Sequence, residues 1–130
     1  MDVIGVSSQR RRQLVDVTSF VQESVAASGV EEGLCHVFVP HTTAALLINE
    51  NADPAVPEDI LAALAAMLPD LTWRHTEGNS DAHVKTSLVG SQVMVPVEAG
   101  RLRLGTWQSI YLAEFDGPRT RQVHLTLLVG

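Results

Sequence analysis

The sequence has one cysteine, few aromatic residues and no long apolar run. Cys35 is its only cysteine in 130 residues, so no disulfide can form within the chain. No apolar stretch approaches the roughly 20 residues that a membrane helix needs, and the first residues lack the apolar core of a signal peptide. These absences exclude a disulfide-stapled secreted domain, and we expect a cytoplasmic protein without a membrane partner.

Basic residues are also scarce. Nine Lys and Arg residues stand against fifteen Asp and Glu residues, which gives a formal charge of −6. A nucleic-acid binder needs a basic face that neutralises phosphates, and the only dense basic run is Arg10 to Arg12, so we do not expect nucleic acid as a partner. A hydrophobic fraction of 45% excludes wholesale disorder. The length predicts a single domain over residues 1–130.

Apolar periodicity predicts a mixture of strands and helices. Alternating or β-branched runs predict seven strands, at residues 3–7, 13–17, 33–39, 44–48, 93–97, 106–114 and 123–129. Helical spacing predicts three helices, from residue 18 or 19 to Gly29, from residue 55 or 57 to Leu68, and over 83–89. Because the two kinds of element do not alternate strictly, the pattern favours an α+β fold with a mostly antiparallel sheet.

Five histidines are the first candidates for chemistry. His36 and His124 lie inside predicted strands, where a half-buried structural role is expected. His41, His75 and His83 lie at strand or helix ends or in a polar loop, where a rigid scaffold can aim side chains at one point. Three neutral imidazoles suit zinc. The spacing matches no short metal motif, so three unconnected histidines remain the alternative.

Carboxylates and polar donors surround these histidines in the sequence. Glu50 follows the apolar run 44–48, where it can orient a ligand histidine, act as a base, or be a solvated turn residue. Asp81 precedes His83 by two residues. Hydroxyl, amide and cationic donors that can hold a phosphate are Thr42, Thr43, Lys85, Ser87, Gln108 and Arg121. The sequence has no glycine pattern of a nucleotide-binding loop.

Three long segments resemble the YjbQ-like family. They are residues 41–54 (HTTAALLINENADP), residues 75–83 (HTEGNSDAH) with Lys85, Ser87 and Gly90 beyond them, and residues 105–119 (GTWQSIYLAEFDGPR). Together they occur in order and span most of the chain. The resemblance implies an α+β domain with an antiparallel, sandwich-like sheet, two main helices and a short third helix. It also implies a homotrimer with sheets packed around a threefold axis.

The resemblance further implies a metal site and an activity. It makes His41, His75 and His83 metal ligands, with Glu50, Asp81 and Gln108 around them. The implied metal is zinc, with magnesium as the second candidate because phosphorylated substrates favour it. The family carries the label of secondary thiamine-phosphate synthase, after a weak activity that joins a thiazole phosphate to a pyrimidine pyrophosphate.

We therefore expect a metal-dependent enzyme that acts on a small phosphorylated or anionic metabolite, nominally as a thiamine-phosphate synthase. Glu50 and Asp81 are its expected catalytic residues, and its expected ligand-binding residues are Thr42, Thr43, Lys85, Ser87 and Gln108. The first alternative is a non-catalytic trimer that binds a metal or a metabolite. The second is a structural trimer in which the histidines are incidental.

Overall fold

The fold combines eight strands with three helices in the part of the chain that the structure describes. The computed structural model describes residues 1–68 and 72–130. In chain order its elements are β1 (Asp2–Ser7), β2 (Gln13–Asp16), α1 (Thr18–Ser28), β3 (Glu32–Phe38), β4 (Ala44–Glu50), α2 (Ala55–Ala66), α3 (Ser80–Val89), β5 (Gln92–Glu98), β6 (Arg101–Leu102), β7 (Gln108–Glu114) and β8 (Thr120–Val129). None of the described helices is long and apolar enough to span a membrane.

The strands form two sheets. The larger sheet has five strands in the order β1-β8-β3-β5-β6, and the smaller has three in the order β2-β7-β4. Every pairing between the described strands is antiparallel. The mostly antiparallel α+β architecture expected from the sequence is therefore confirmed.

One apolar core lies between the two sheets and α1. The inward residues of β8, such as Val123 and Leu125, share this core with Val37 of β3 and with Val21 and Val25 of α1. The side chains of a strand alternate between its two faces, so the alternating apolar pattern of β8 supplies one buried face. Burying these side chains stabilises the fold by about 1.5–3 kcal/mol each.

A second apolar cluster covers the other face of the three-stranded sheet. Ala45 of β4 and Phe115, just after β7, pack with Ala82 of α3, and Leu61 and Leu64 of α2 contact them. Because both faces of β4 are covered, its run from Ala44 to Ile48 is apolar throughout rather than alternating. This layer brings α3 against the end of the sheet where β4 begins.

Several element boundaries differ from those expected. Helix α3 begins at Ser80 rather than at His83, because the carbonyl of Asn79 accepts hydrogen bonds from the amides of Ala82 and His83. Strand β4 continues through Glu50, which pairs with Gln108 of β7, so Glu50 is a strand residue rather than a turn residue. The short strand β6 was not expected from the sequence, because it has only two residues, which pair with β5 across the turn at Ala99 and Gly100.

The residues at the start of α1 form hydrogen bonds with β7 and with the end of β2. The N-cap residue of α1 is Val17, whose side chain makes no capping hydrogen bond. The Thr18 hydroxyl instead accepts a hydrogen bond from the amide of Ile110 in β7, at 2.8 Å. Asp16 accepts one from the amide of Thr18, at 3.0 Å. The residues that open α1 therefore tie it to the three-stranded sheet.

The outward side of the five-stranded sheet is apolar and exposed. Leu34 and Phe38 of β3, Met94 of β5 and Leu128 of β8 are each between 38% and 51% exposed. Leu34 lies opposite Leu128 across the strand pair. His36 and His124 lie half-buried on strands, as expected. We call Leu34, Phe38, Met94 and Leu128 the outer apolar face.

Candidate functional site

The first turn of α3 gathers three cationic side chains around one carboxylate. Asp81 Oδ2 lies 3.2 Å from both Arg12 Nη2 and Lys85 Nζ, and Asp81 Oδ1 lies 3.7 Å from Arg11 Nη2. Burial raises the pKa of the Asp81 carboxyl, but the hydrogen bonds from Arg12 and Lys85 outweigh burial and keep that pKa below its ordinary value. Asp81 is therefore ionised at neutral pH and holds the three cations together.

Lys85 is the most deeply buried of these three cations. Its side chain is only 2% exposed, and its ammonium lies 5.8 Å from the centre of the Phe115 ring. Lys85 follows Asp81 by one helical turn, which places the two side chains on the same face of α3. A buried ammonium with a fixed carboxylate partner is a rigid point charge, unlike the exposed Arg11 and Arg12.

Two of the predicted histidines meet on another face of α3, because His83 follows Asp81 by two residues and the two side chains point in different directions. The rings of His75 and His83 meet edge to face with their centres 5.2 Å apart. His75 Nδ1 lies 2.9 Å from the Ser80 hydroxyl, and His75 Nε2 lies 3.7 Å from Glu77 Oε1. Together with Trp73 the pair lines a cavity of about 310 Å³. We call this cavity and the Asp81 cluster the α3 site.

His41, the third predicted ligand, is engaged elsewhere. Its Nε2 accepts a hydrogen bond from the backbone amide of Gln122 in β8, at 2.9 Å. Burial and the nearby Arg121 guanidinium hold the pKa of the His41 imidazole below its ordinary value, which keeps this acceptor nitrogen unprotonated. Within residues 1–68 and 72–130, no three or more His, Cys, Asp or Glu side chains lie close enough to hold a metal ion. The described chain thus brings two of the three imidazoles together.

Glu114 and Arg121 form a buried ion pair near the start of β4. Glu114 has no exposed surface and accepts hydrogen bonds from Arg121 Nε at 2.9 Å and from the Ser8 hydroxyl at 2.7 Å. Arg121 Nη2 also donates to Thr43 Oγ1 at 2.8 Å. The Phe115 amide donates to the Thr43 carbonyl, so the ion pair and the α3 site lie at the same end of the three-stranded sheet. The hydroxyl of Thr43, which was predicted to bind a ligand, accepts this hydrogen bond from Arg121.

The other predicted donors near this end differ in accessibility. Thr42 is exposed. Ser87 is also exposed, and its hydroxyl donates to the His83 carbonyl at 2.9 Å. Ser87 therefore lies one helical turn beyond His83, and its hydroxyl is bonded within α3.

Glu50 and Gln108 lie at the opposite end of the three-stranded sheet. They pair with each other across β4 and β7, six residues along from the pairing of Ala44 with Glu114. Six strand residues span about 20 Å. Gln108 Oε1 accepts a hydrogen bond from the amide of Gly105 at 2.8 Å. Within one chain, these two residues do not share a site with Asp81.

Sequence reasoning missed the arginines that complete the α3 site. Arg11 and Arg12 follow β1 by several residues and read as a charged turn, since nothing local ties them to residue 81. Arg121 did carry a signal. It falls on the same strand face as the buried Val123 and Leu125, and an arginine on a buried face predicts a buried carboxylate partner.

Comparison with known proteins places these features in a family. The family model described as UPF0047 protein YjbQ-like matches residues 2–130. UPF0047 protein MJ1081 of Methanocaldococcus jannaschii is 44% identical over 124 residues, which cover 95% of this chain and 90% of that protein. UPF0047 protein YugU of Bacillus subtilis is 41% identical over 133 aligned residues, which cover 98% of each chain.

Solved structures match over nearly the whole chain. An uncharacterized conserved protein of the yjbq/upf0047 family from Clostridium acetobutylicum superposes with a TM-score of 0.95 at 46% identity, covering 98% of this chain and 100% of that chain. A hypothetical protein from Aeropyrum pernix K1 gives a TM-score of 0.93 at 41% identity, covering 99% and 98%. The α+β fold with three helices and antiparallel sheets is thus shared with these relatives, and the chain belongs to the YjbQ/UPF0047 family.

Proposed function

We propose that this protein binds a small phosphorylated metabolite at the α3 site and acts on it as a metal-dependent enzyme. The observation that carries the proposal is the charge around Asp81. Arg11, Arg12 and Lys85 against one carboxylate leave a formal excess of two positive charges, in a chain whose formal charge is −6. Such a local excess attracts anions, and guanidinium groups bind phosphate oxygens with two parallel hydrogen bonds.

The cations have different tasks in this proposal. Arg11 and Arg12 are about half exposed, so they can turn from Asp81 to a bound phosphate at little cost in desolvation. Lys85 is buried and stays on Asp81, where it fixes the carboxylate. Asp81 is then the acidic residue that positions the arginines for the phosphate.

A divalent metal fits this donor set only in part. His75 and His83 would hold zinc, and the remaining ligands would be substrate oxygens or water, because His41 is bonded to β8. Bound zinc would draw electron density from a phosphate oxygen. Magnesium, the second candidate, prefers oxygen ligands, which here are Asp81 and the phosphate itself. Thiamine-phosphate synthesis, with its two phosphorylated substrates, is the nominal reaction.

The alternative is a protein that holds a metal or a metabolite without turning it over. The observation that favours it is the pair of imidazoles at the α3 site, which supplies fewer protein ligands than a catalytic zinc site usually has. The same arginines and histidines would serve this function. This alternative predicts that the protein binds a metal or a metabolite without converting it.

The outer apolar face supports a homotrimer. Four large apolar side chains that stay between 38% and 51% exposed on one sheet are unusual for a monomer. Three copies packed through this face would bury it and leave the α3 site accessible to a ligand. The single buried thiol, Cys35, is compatible with assembly in the cytoplasm.

Binding and turnover are tested separately. Calorimetric titration with pyrophosphate should show binding that weakens about tenfold in Arg12→Gln, as expected for the loss of one charge-assisted contact. Arg103→Gln is the matched control, since Arg103 is exposed and pairs with Glu98 rather than with Asp81. If both variants bind pyrophosphate as tightly as the wild type, the phosphate does not bind at the α3 site.

Turnover is measured with a thiazole phosphate and a pyrimidine pyrophosphate, with and without added zinc or magnesium. His83→Ala should lose the metal-stimulated rate, whereas His36→Ala, on the outer side of the five-stranded sheet, should keep it. Pyrophosphate binding without turnover on these substrates selects the non-catalytic alternative. An unchanged rate in His83→Ala contradicts the assignment of the metal.

A further inference from the structure

A second cleft lies at the end of the three-stranded sheet away from the α3 site. It has a volume of about 560 Å³ and lies between the start of α1, the residue after β4, and β6 with the loop that follows it. Its walls include Asp16, Ser19, Asn51, Leu102, Leu104 and Gln108. We call it the Asp16 cleft. It is separate from the α3 site, so it is independent of the function proposed there.

Two polar side chains of the Asp16 cleft keep an acceptor oxygen free once their bonds within the described chain are counted. Asp16 uses Oδ1 for the amide of Thr18, at 3.0 Å, and no described residue bonds its Oδ2. Asn51 uses its Nδ2 for the Ser109 hydroxyl, at 2.6 Å, and its Oδ1 has no partner among the described residues. A carboxylate oxygen and an amide oxygen are thus available to a ligand that donates hydrogen bonds.

The electrostatic character of the cleft is negative. None of the residues that line it is a lysine, an arginine or a histidine. Tyr111 lies opposite Asp16 in the strand pairing, and its hydroxyl donates to the Glu50 carbonyl at 2.9 Å. Burial raises the pKa of Tyr111, and the negative charges of Asp16 and Glu50 raise it further.

We propose that the Asp16 cleft binds a small organic cation, a protonated amine on a short hydrocarbon chain. The ammonium group donates to Asp16 Oδ2 and Asn51 Oδ1, and the hydrocarbon chain packs on Leu102 and Leu104. A few oriented polar groups beside an apolar wall are what small-molecule sites provide. Gln108, which the family resemblance implied would lie near the histidines, lines this cleft.

The test uses butylammonium as the probe and 1-butanol as its uncharged counterpart. Titration of isotope-labelled protein at low salt should move the amide NMR signals of Ser19 and Asn51 with butylammonium. Binding of 1-butanol should be at least tenfold weaker. Asp16→Asn keeps an oxygen for the amide of Thr18 and should lose about tenfold in butylammonium affinity. Asp59→Asn, the same charge change on exposed α2, should lose nothing.

A second variant covers the case in which Asp16→Asn disturbs the fold. Ser19→Lys puts a positive charge at an exposed position on the wall of the cleft and should abolish butylammonium binding. The proposal is overturned by equal affinity for butylammonium and 1-butanol. It is also overturned by equal losses in Asp16→Asn and Asp59→Asn, by unchanged binding in Ser19→Lys, or by no signal change in any titration. Pyrophosphate binding at the α3 site is unaffected by these outcomes, which separates the two proposals.

Discussion

Replacing Glu114 with glutamine removes one charge from a buried pair and keeps the shape of the side chain. Glu114 has no exposed surface, and the Arg121 side chain beside it is 6% exposed. In Glu114→Gln the guanidinium keeps one oxygen acceptor but loses its counter-charge. Removing one partner of such a pair costs about 3–5 kcal/mol, and the retained acceptor places this variant near 3 kcal/mol.

The expected change in melting temperature follows from the length of the chain. An unfolding entropy of roughly 2.1 cal/mol/K per residue gives about 0.27 kcal/mol/K for 130 residues. A loss of about 3 kcal/mol then lowers the melting temperature by about 11 °C. Calorimetry at pH 7 measures this shift, and urea unfolding gives the free energy of unfolding independently.

The matched control breaks an exposed ion pair of similar geometry. Arg103 and Glu98 are 2.7 Å apart, with side chains 60% and 55% exposed. Arg103→Gln should therefore cost at most about 1 kcal/mol. If Glu114→Gln loses no more than Arg103→Gln, the argument from burial is wrong.

The same pair predicts a dependence on pH. Burial alone raises the pKa of Glu114, but hydrogen bonds from Arg121, the Asp116 amide and Ser8 outweigh burial and bring it below the ordinary value of 4.5. The ionised carboxylate therefore adds stability above pH 4.5, and this stability is lost as the pH falls through the lowered pKa of the folded protein. The gap between wild type and Glu114→Gln should narrow from pH 7 to pH 3.5. A constant gap contradicts this reasoning.

Three further predictions concern the rest of the molecule. Burial raises the pKa of Cys35 to about 11, so its thiol should react with a disulfide reagent at pH 8 only after unfolding; labelling of the native protein at the rate of a free thiol argues against burial. A methyl group at Gly33 would overlap a backbone carbonyl of β8, whereas a methyl group at Gly5 would meet open space. Gly33→Ala should therefore lower the free energy of unfolding by about 2 kcal/mol or more, and Gly5→Ala by less than about 1 kcal/mol. Equal urea midpoints for the two variants would contradict this. Phe38→Asp should dissociate the proposed trimer in sedimentation, and Leu88→Asp, at an exposed position of α3, should not. A trimer that survives Phe38→Asp would have to assemble through another surface.

The strands that were predicted well are those whose apolar pattern follows directly from which of their faces are buried. Val123, Leu125 and Leu127 alternate because β8 is covered on one side, and the run 44–48 is continuous because α2 and α3 cover the second face of β4. The outer apolar face was less predictable. Leu34 and Phe38 are as apolar as core residues, and only the tertiary structure leaves them exposed.

The candidate site was predicted in parts. Asp81, Lys85, His75 and His83 are close in sequence, and α3 with the loop before it brings Asp81 to Lys85 and His75 to His83. The arginines come from a turn about 70 residues earlier, which local patterns cannot connect to α3. Glu50 lies within nine residues of His41, yet β4 carries it to the far end of the sheet.

The position of β8 between β1 and β3 has a consequence for how the protein folds during synthesis. Its neighbours in the sheet are β1 and β3, both from the first 38 residues, whereas β8 itself begins at Thr120. During synthesis, β1 and β3 therefore lack the strand that pairs with both of them until nearly all of this sequence has left the ribosome. Such distant pairing slows folding and leaves apolar strand edges open to other chains. We expect early release at a stop codon before residue 120 to yield an aggregating product rather than a smaller folded one.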